Sequence, residues 1–280
     1  MTEQLRCAKI INSANGKEVL GLTVNYHTHT HLCGHAEGEI REYIEKAIEA
    51  GLTKLGFADH APQFFEGGYG PAIRKNMRMT PKEAEKYISD IRAYSDEYKG
   101  DIKLFCGFEA EYFPTIFAKL QSFCRDYGVD YLILGQHCLT IEPSDFWVGA
   151  PTEERSFLTR YVDEVLEGIS SGSFSYVCHP DVCHYVGDDA FYRSEMTRLC
   201  VGAKKLGIPL EINIKGLCDN RFYPSDRFVN LAKSVGNDMI LGVDAHNPSD
   251  LHNENDRRKV SEFLSRNGIT PLDDITLRKI

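Results

Sequence analysis

VLGLTVNYHTHTHLCGH, residues 19–35, sets an apolar run directly before four histidines at positions 27, 29, 31 and 35. Residues 19–24 have the composition of a strand, and in a strand residues i and i+2 point to the same side. His27 and His29 then aim at one point just beyond the strand end. Histidine is the commonest metal ligand among the side chains. The segment therefore predicts a strand that delivers a metal grip, and it raises the question of what the other strands deliver.

Six further apolar runs read as strands: 54–57, 102–108, 131–134, 174–177, 208–212 and 239–243. Helical faces lie between them. Ile40, Tyr43, Ile44, Ala47 and Ile48 form one, ended by Gly51. Thr80-Pro81-Lys82-Glu83 is a capping box with proline at the first helical position, and it opens a second. Others follow at 117–124, 158–169, 196–206 and 228–235, the last two stopped by Gly207 and Gly236. Strands alternating with helices imply a parallel sheet.

The residues just past each run decide between an open sheet and a closed one. In order they are His27, His29 and His35; Asp59 and His60; Glu109 and Glu111; His137; His179 and Asp181; Glu211 and Asn213; Asp244 and His246. Every strand ends in residue types that ligate metals. In an open sheet the outer strands would carry them too far from the centre to meet, whereas in a β/α barrel all strand ends converge on one face. The expected fold is α/β, a distorted (β/α)7 barrel with a metal site at the C-terminal face of the strands. Residues 1–280 read as one domain, with 1–18 an N-terminal extension of no assigned role. His31, His184 and His252 lie outside the pattern and are expected not to ligate.

Bulk properties fit this reading. The 280 residues carry a net charge of −9, which gives no general attraction for nucleic acid or anionic membrane. The N-terminus is polar, and no apolar run approaches the ~20 residues of a membrane helix. A cytoplasmic protein is expected, with neither nucleic acid nor membrane as partner. Nine cysteines, an odd number with no Cys-x-x-Cys pair, read as buried reduced thiols rather than a disulfide framework. The glycine-bearing stretch from Pro62 to Met79 reads as a loop over the barrel mouth.

At these motifs the chain resembles the polymerase-and-histidinol-phosphatase (PHP) superfamily, and within it the stand-alone histidinol-phosphatases. The segments that carry the resemblance are His27-Thr-His29 with His35, Asp59-His60, Gly107-Phe108-Glu109, Gly135-Gln136-His137, Cys178-His179-Pro180-Asp181, Leu210-Glu211-Ile212-Asn213, Tyr223-Pro224-Ser225 and Gly242-Val243-Asp244-Ala245-His246. The chain differs in having Asn25 where the family usually carries Asp, and Val243 where it carries Ser.

The resemblance implies three divalent metal ions, of zinc, iron or manganese. His27, His29, Glu109 and Asp244 would hold the first. Glu109, His137 and His179 would hold the second, and His35, His60 and His246 the third. It implies hydrolysis of L-histidinol phosphate, a small phosphorylated amino alcohol, in histidine biosynthesis, by attack of a metal-bound hydroxide on phosphorus. Asp244 or His246 would handle protons. Arg160, Lys215 and Arg193 are candidate phosphate-binding cations, and Asn213 a further substrate contact. Glu111, Asp181, Phe65 or Trp147 would meet the cationic end. The rival expectations are action on another small phosphate ester or nucleotide, amide hydrolysis at the same cluster, and non-catalytic metal binding.

Overall fold

The computed structural model of the chain describes residues 9–12, 18–64, 77–141 and 147–280. Seven parallel strands form one sheet in strict chain order: β3 (Val24–Asn25), β4 (Lys54–His60), β5 (Lys103–Ala110), β6 (Tyr131–Leu134), β7 (Phe174–Val177), β8 (Leu210–Asn213) and β9 (Met239–Gly242). Helices α1 (Ile40–Glu49), α2 (Pro81–Glu97), α3 (Pro114–Asp126), α4 (Arg155–Ser170) and α5 (Asp189–Leu206) make the crossovers. A short α6 (Ile214–Cys218) and α7 (Asp226–Val235) follow β8, and α8 (Glu254–Asn267) follows β9. Among the described residues no helix is long and apolar enough to cross a membrane.

The run at 19–24 is not one strand. Glu18–Gly21 is β2, which pairs antiparallel with β1 (Lys9–Asn12) outside the barrel, and only Val24–Asn25 joins the seven-stranded sheet. The barrel closes at its upper rim instead. Thr28 bridges Ala245, the His29 amide donates to the Ala245 carbonyl at 2.8 Å, and Val243 N donates to Asn25 Oδ1 at 2.9 Å. Asn25 Nδ2 donates in turn to the His27 carbonyl and to Thr28 Oγ1. These two donor bonds use the amide that Asn has and Asp lacks.

The interior is packed, not open. Val24, Tyr26, Ala58, Tyr131, Ile133, Tyr176, Cys178 and Ile240 fill it. Two glycines make room for Tyr131: a Cβ on Gly56 would sit 2.3 Å from its hydroxyl, and one on Gly107 2.4 Å from its ring. The C-terminal stretch covers the lower end. Leu272 bridges Ile240, Tyr26 Oη donates to Asp274 at 2.7 Å, and Arg278 N donates to Ser175 Oγ at 2.9 Å. With core and floor filled, a cluster of buried polar side chains gathers at the C-terminal ends of the strands, where sites in such barrels lie. The eight described cysteines are all free, and all but Cys218 are buried.

Candidate metal centre

Glu109, near the end of β5, is the hub of the upper face. It is 1% exposed, and its two oxygens face different histidines. Oε1 lies 3.1 Å from His137 Nε2 and 2.7 Å from His179 Nε2. Oε2 lies 3.6 Å from His27 Nε2, 3.4 Å from His29 Nε2 and 3.1 Å from His60 Nδ1. The carboxylate has room because position 135 is glycine; a Cβ there would fall 2.1 Å from Oε1. Gly242 serves Glu211 in the same way, since a Cβ there would fall 1.8 Å from its Oε1.

The grip expected from the opening segment is present. His27 Nε2 and His29 Nε2 are 3.2 Å apart, and Asp244 Oδ1 lies 3.5 and 3.2 Å from them. Four donors around one tetrahedral ion at about 2.1 Å stand about 3.4 Å from each other. The distances of His27 and His29 from each other, from Asp244 and from Glu109 fall on either side of that value. Ligand atoms of His35, His60 and His246 form a second group, all within 4.8 Å of one another, and those of His27, Glu109, Cys178 and His179 a further one.

What lies behind the rings fits a metal equally well. Four histidines offer Nδ1 to an oxygen and turn the other nitrogen inward. Their partners are Glu211 Oε1 for His27 (2.8 Å), Glu111 Oε1 for His137 (3.1 Å), the Cys33 carbonyl for His35 (3.0 Å) and the Asp244 carbonyl for His246 (2.9 Å). Such outer bonds fix the tautomer that leaves the inward nitrogen a lone pair. Glu111 is itself clamped by Arg78 through contacts of 3.1 and 3.2 Å. Asp59 accepts from Thr30 N, Thr30 Oγ1 and His60 N, and its Oδ1 lies 3.6 Å from His29 Nδ1. Asp59 and Glu111 thus support histidines from behind. The backbones of His179 and Asp244 are left-handed, at φ 29° and 57°. Such non-glycine strain concentrates at functional sites.

Electrostatics follow from the crowding. Burial alone would lower the His27 pKa, but Glu211, Asp244 and Glu109 raise it to about 10. His137 is likewise raised to about 10, its burial overcome by Glu109 and Glu111. Burial holds His60 down to about 4 and His246 to about 2, with cationic neighbours adding to the effect. Burial opposes the charge on Glu109, yet His137, His60 and His27 hold its carboxyl well below the usual range. The carboxylates thus favour the protonated form of His27 and His137; ligation requires the neutral ring, so a bound cation would displace those protons.

The residues expected to bind substrate are placed differently. Asn213 is fully buried; Nδ2 donates to Glu211 and Asp244, and Oδ1 accepts from Gly216 N. That leaves it no atom for a ligand, so it steadies Asp244. Arg160, half exposed on α4, bonds Glu164 at 2.7 Å and the Leu139 carbonyl. Arg193 pairs with Asp189 on α5. Lys215 reaches only Asp250 (3.4 Å) and Asp219 (3.6 Å), although Asp250 also accepts from His246 N. Arg221 was missed by the sequence reading. It donates to Tyr223 Oη at 2.7 Å, and although burial opposes its charge, Tyr223 and Asp244 hold it protonated. It is a cation within electrostatic reach of the centre. His31 is exposed, His184 stacks on Phe222, and His252 pairs with Glu49. Phe65 and residues 66–76 of the expected mouth loop lie outside the described residues.

Comparison with known proteins agrees with this arrangement. The family model described as PHP domain matches residues 25–215. A probable histidinol-phosphatase of Deinococcus radiodurans is 30% identical over 236 residues, covering 80% of this chain and 86% of its own. The histidinol-phosphatase of Bacillus subtilis is 26% identical over 255 residues, covering 80% and 94%. A histidinol phosphate phosphatase of Lactococcus lactis, solved with zinc, L-histidinol and phosphate, superposes with a TM-score of 0.67 at 20% identity, covering 91% of this chain and 99% of its own.

Proposed function

The chain belongs to the PHP domain family, and from that footing we propose that it is a metal-dependent phosphomonoesterase that hydrolyses L-histidinol phosphate to L-histidinol and phosphate. One observation carries the metal part: the two oxygens of Glu109 face two separate sets of inward histidine nitrogens. The relatives named histidinol-phosphatase support the substrate.

We assign His27, His29, Asp244 and Glu109 as the residues that would hold one ion, and Glu109, His137 and His179 as those that would hold a second. His35, His60 and His246 would hold a third. Zinc, iron and manganese all suit imidazole and carboxylate donors. Divalent ions held here supply hydroxide at neutral pH and neutralise phosphoryl oxygens. The protein's part is orientation and charge. Glu211 and Glu111 fix His27 and His137 from behind, and Asn213 holds Asp244 Oδ2 at 3.2 Å so that Oδ1 faces the rings. His246 donates Nδ1–H to a carbonyl, which suits it to ligation more than to proton transfer. Asp244 has Oδ1 toward the rings and Oδ2 held by Asn213, and, although burial opposes its charge, His27 and His246 hold its carboxyl well below the usual range, so it too suits ligation more than proton transfer.

Arg221 supplies the cation that an acidic chain needs beside a phosphate. Arg221→Ala is expected to raise KM for histidinol phosphate by roughly 10-fold or more, since a hydrogen bond to a charged group contributes about 1.5–3 kcal/mol. Arg160→Ala should leave KM nearly unchanged; equal effects of the two would remove Arg221 from the site.

The reading itself is tested by steady-state rates of metal-replete protein on histidinol phosphate, other phosphomonoesters, nucleotides and amides. Histidinol phosphate is expected to give the highest kcat/KM. A nucleotide or amide in that position would overturn the substrate assignment and leave a metallohydrolase.

A further inference from the structure

A cavity of 180 Å³ opens between the loop after β7 and the loop before α7, walled by Asp181, His184, Tyr192, Phe222, Ser225 and Arg227. It lies close to the metal centre through a short series of rings. Tyr223 stands 5.7 Å from His179, Phe222 stands 5.1 Å from Tyr223, and His184 lies flat on Phe222 at 3.8 Å and 3°. The volume holds several waters, at ~30 Å³ each in the liquid, or one five-membered ring.

Asp181 is the unusual wall. It is 4% exposed. Its Oδ2 accepts from Ser225 N at 2.7 Å and Ser225 Oγ at 2.9 Å, while its Oδ1 has no hydrogen-bond partner. Arg227, the cation lining the cavity, is engaged elsewhere. Its guanidinium lies 3.4 Å from the centre of the Tyr192 ring and bonds the Tyr185 carbonyl at 3.2 Å and Asp189 at 3.4 Å. A buried carboxylate oxygen without a donor is costly, and a ligand N–H offsets that cost.

We propose that this cavity is the recognition subsite for a protonated nitrogen of the substrate's leaving alcohol, with Asp181 Oδ1 accepting its N–H and the Phe222 face packing its carbon frame. The proposal rests on the phosphatase reading above, with the phosphate at the metal centre and the nitrogenous end in the cavity. The Asp181 carboxylate then selects amino-alcohol phosphates over esters without nitrogen.

The test uses metal-replete protein with Asp181→Asn. Asn can keep its oxygen on Ser225 and place Nδ2 where Oδ1 stood, so packing and metal content should match wild type. The ratio of kcat/KM for histidinol phosphate over p-nitrophenyl phosphate is expected to fall by about 10–100-fold, the range for one hydrogen bond to a charged group. Calorimetric binding of L-histidinol should weaken by the same factor. Phe222→Ala, which touches neither bond to Ser225, should lower the same ratio. An unchanged ratio, or parallel losses on both substrates with unaltered histidinol binding, would overturn the subsite. If wild type hydrolyses neither ester, the phosphatase reading fails, and the histidinol titration alone decides the cavity: equal binding by wild type and Asp181→Asn refutes it.

Discussion

Glu109→Gln is expected to lower kcat/KM for histidinol phosphate by on the order of 10³-fold or more, above the roughly 10–100-fold typical of losing a partner behind a ligand. Gln has the shape of Glu but offers one oxygen and one NH2. Whichever way it turns, the NH2 faces inward nitrogens: His137 and His179 on one side, or His27, His29 and His60 on the other. It cannot ligate, so one set of donors loses its shared member. The carboxylate is also the charge that His137, His60 and His27 hold ionised in a fully buried position. Removing it removes attraction for cations from both sets at once.

Elemental analysis should therefore show fewer ions per chain in Glu109→Gln, with near-ultraviolet circular dichroism unchanged. Glu111→Gln is the contrast. Glu111 touches His137 and Arg78 but none of the other inward nitrogens, so a loss within 10–100-fold is expected. Full metal content and wild-type turnover in Glu109→Gln would remove the bridging role.

The barrel was legible because each strand announces its own end. The runs at 131–134 and 174–177 coincide with β6 and β7, and His137 and His179 beyond them both reach Glu109 Oε1. What escaped the sequence lacks a period or depends on distant pairing. The run at 19–24 carries Gly21 and Thr23 among its apolar residues, and both types occur within strands as well as at their ends, so composition does not show that β2 leaves for its own hairpin at Gly21 and β3 enters the barrel at Val24. Helix α8 reads ENDRRKVSEFLSRN, with only Val260, Phe263, Leu264 and Asn267 buried, too thin a stripe to stand out. The Arg78–Glu111 pair and the Asn213 bond to Asp244 join residues 33 and 31 apart in sequence. Arg221 sits in a loop where a lone charge reads as solvated, and it is exposed; its bond to Tyr223, whose ring stands 5.7 Å from His179, is what sets it near the centre. Polar types at strand ends reveal where a site lies, and folding alone reveals which of them are already occupied by one another.

Chelation is expected to abolish turnover and to lower Tm by on the order of 10 °C, both restored by adding back a divalent ion. The sign follows from linkage. The donors come from the C-terminal ends of all but one of the seven barrel strands, or from the loops after them, and meet only in the folded chain, so the unfolded chain binds the ion far more weakly. A site filled at ~1,000 times its Kd stabilises by about 4.1 kcal/mol. Each 1 kcal/mol moves Tm by roughly 2–4 °C in proteins approaching this size. One such site therefore accounts for the expected shift, and further sites enlarge it. Without the ion, Glu109, Asp244 and Glu211 stay buried beside His27 and His137, which take up protons to compensate them. Calorimetry with and without chelator measures the shift, and add-back of zinc, manganese and iron in turn ranks the ions by restored rate. Glu109→Gln supplies the internal check: with a shared donor gone, its chelator-induced shift should shrink toward that of a protein holding fewer ions. A chelated protein with less than about 0.1 ion per chain, unchanged Tm and undiminished turnover would end the metal assignment.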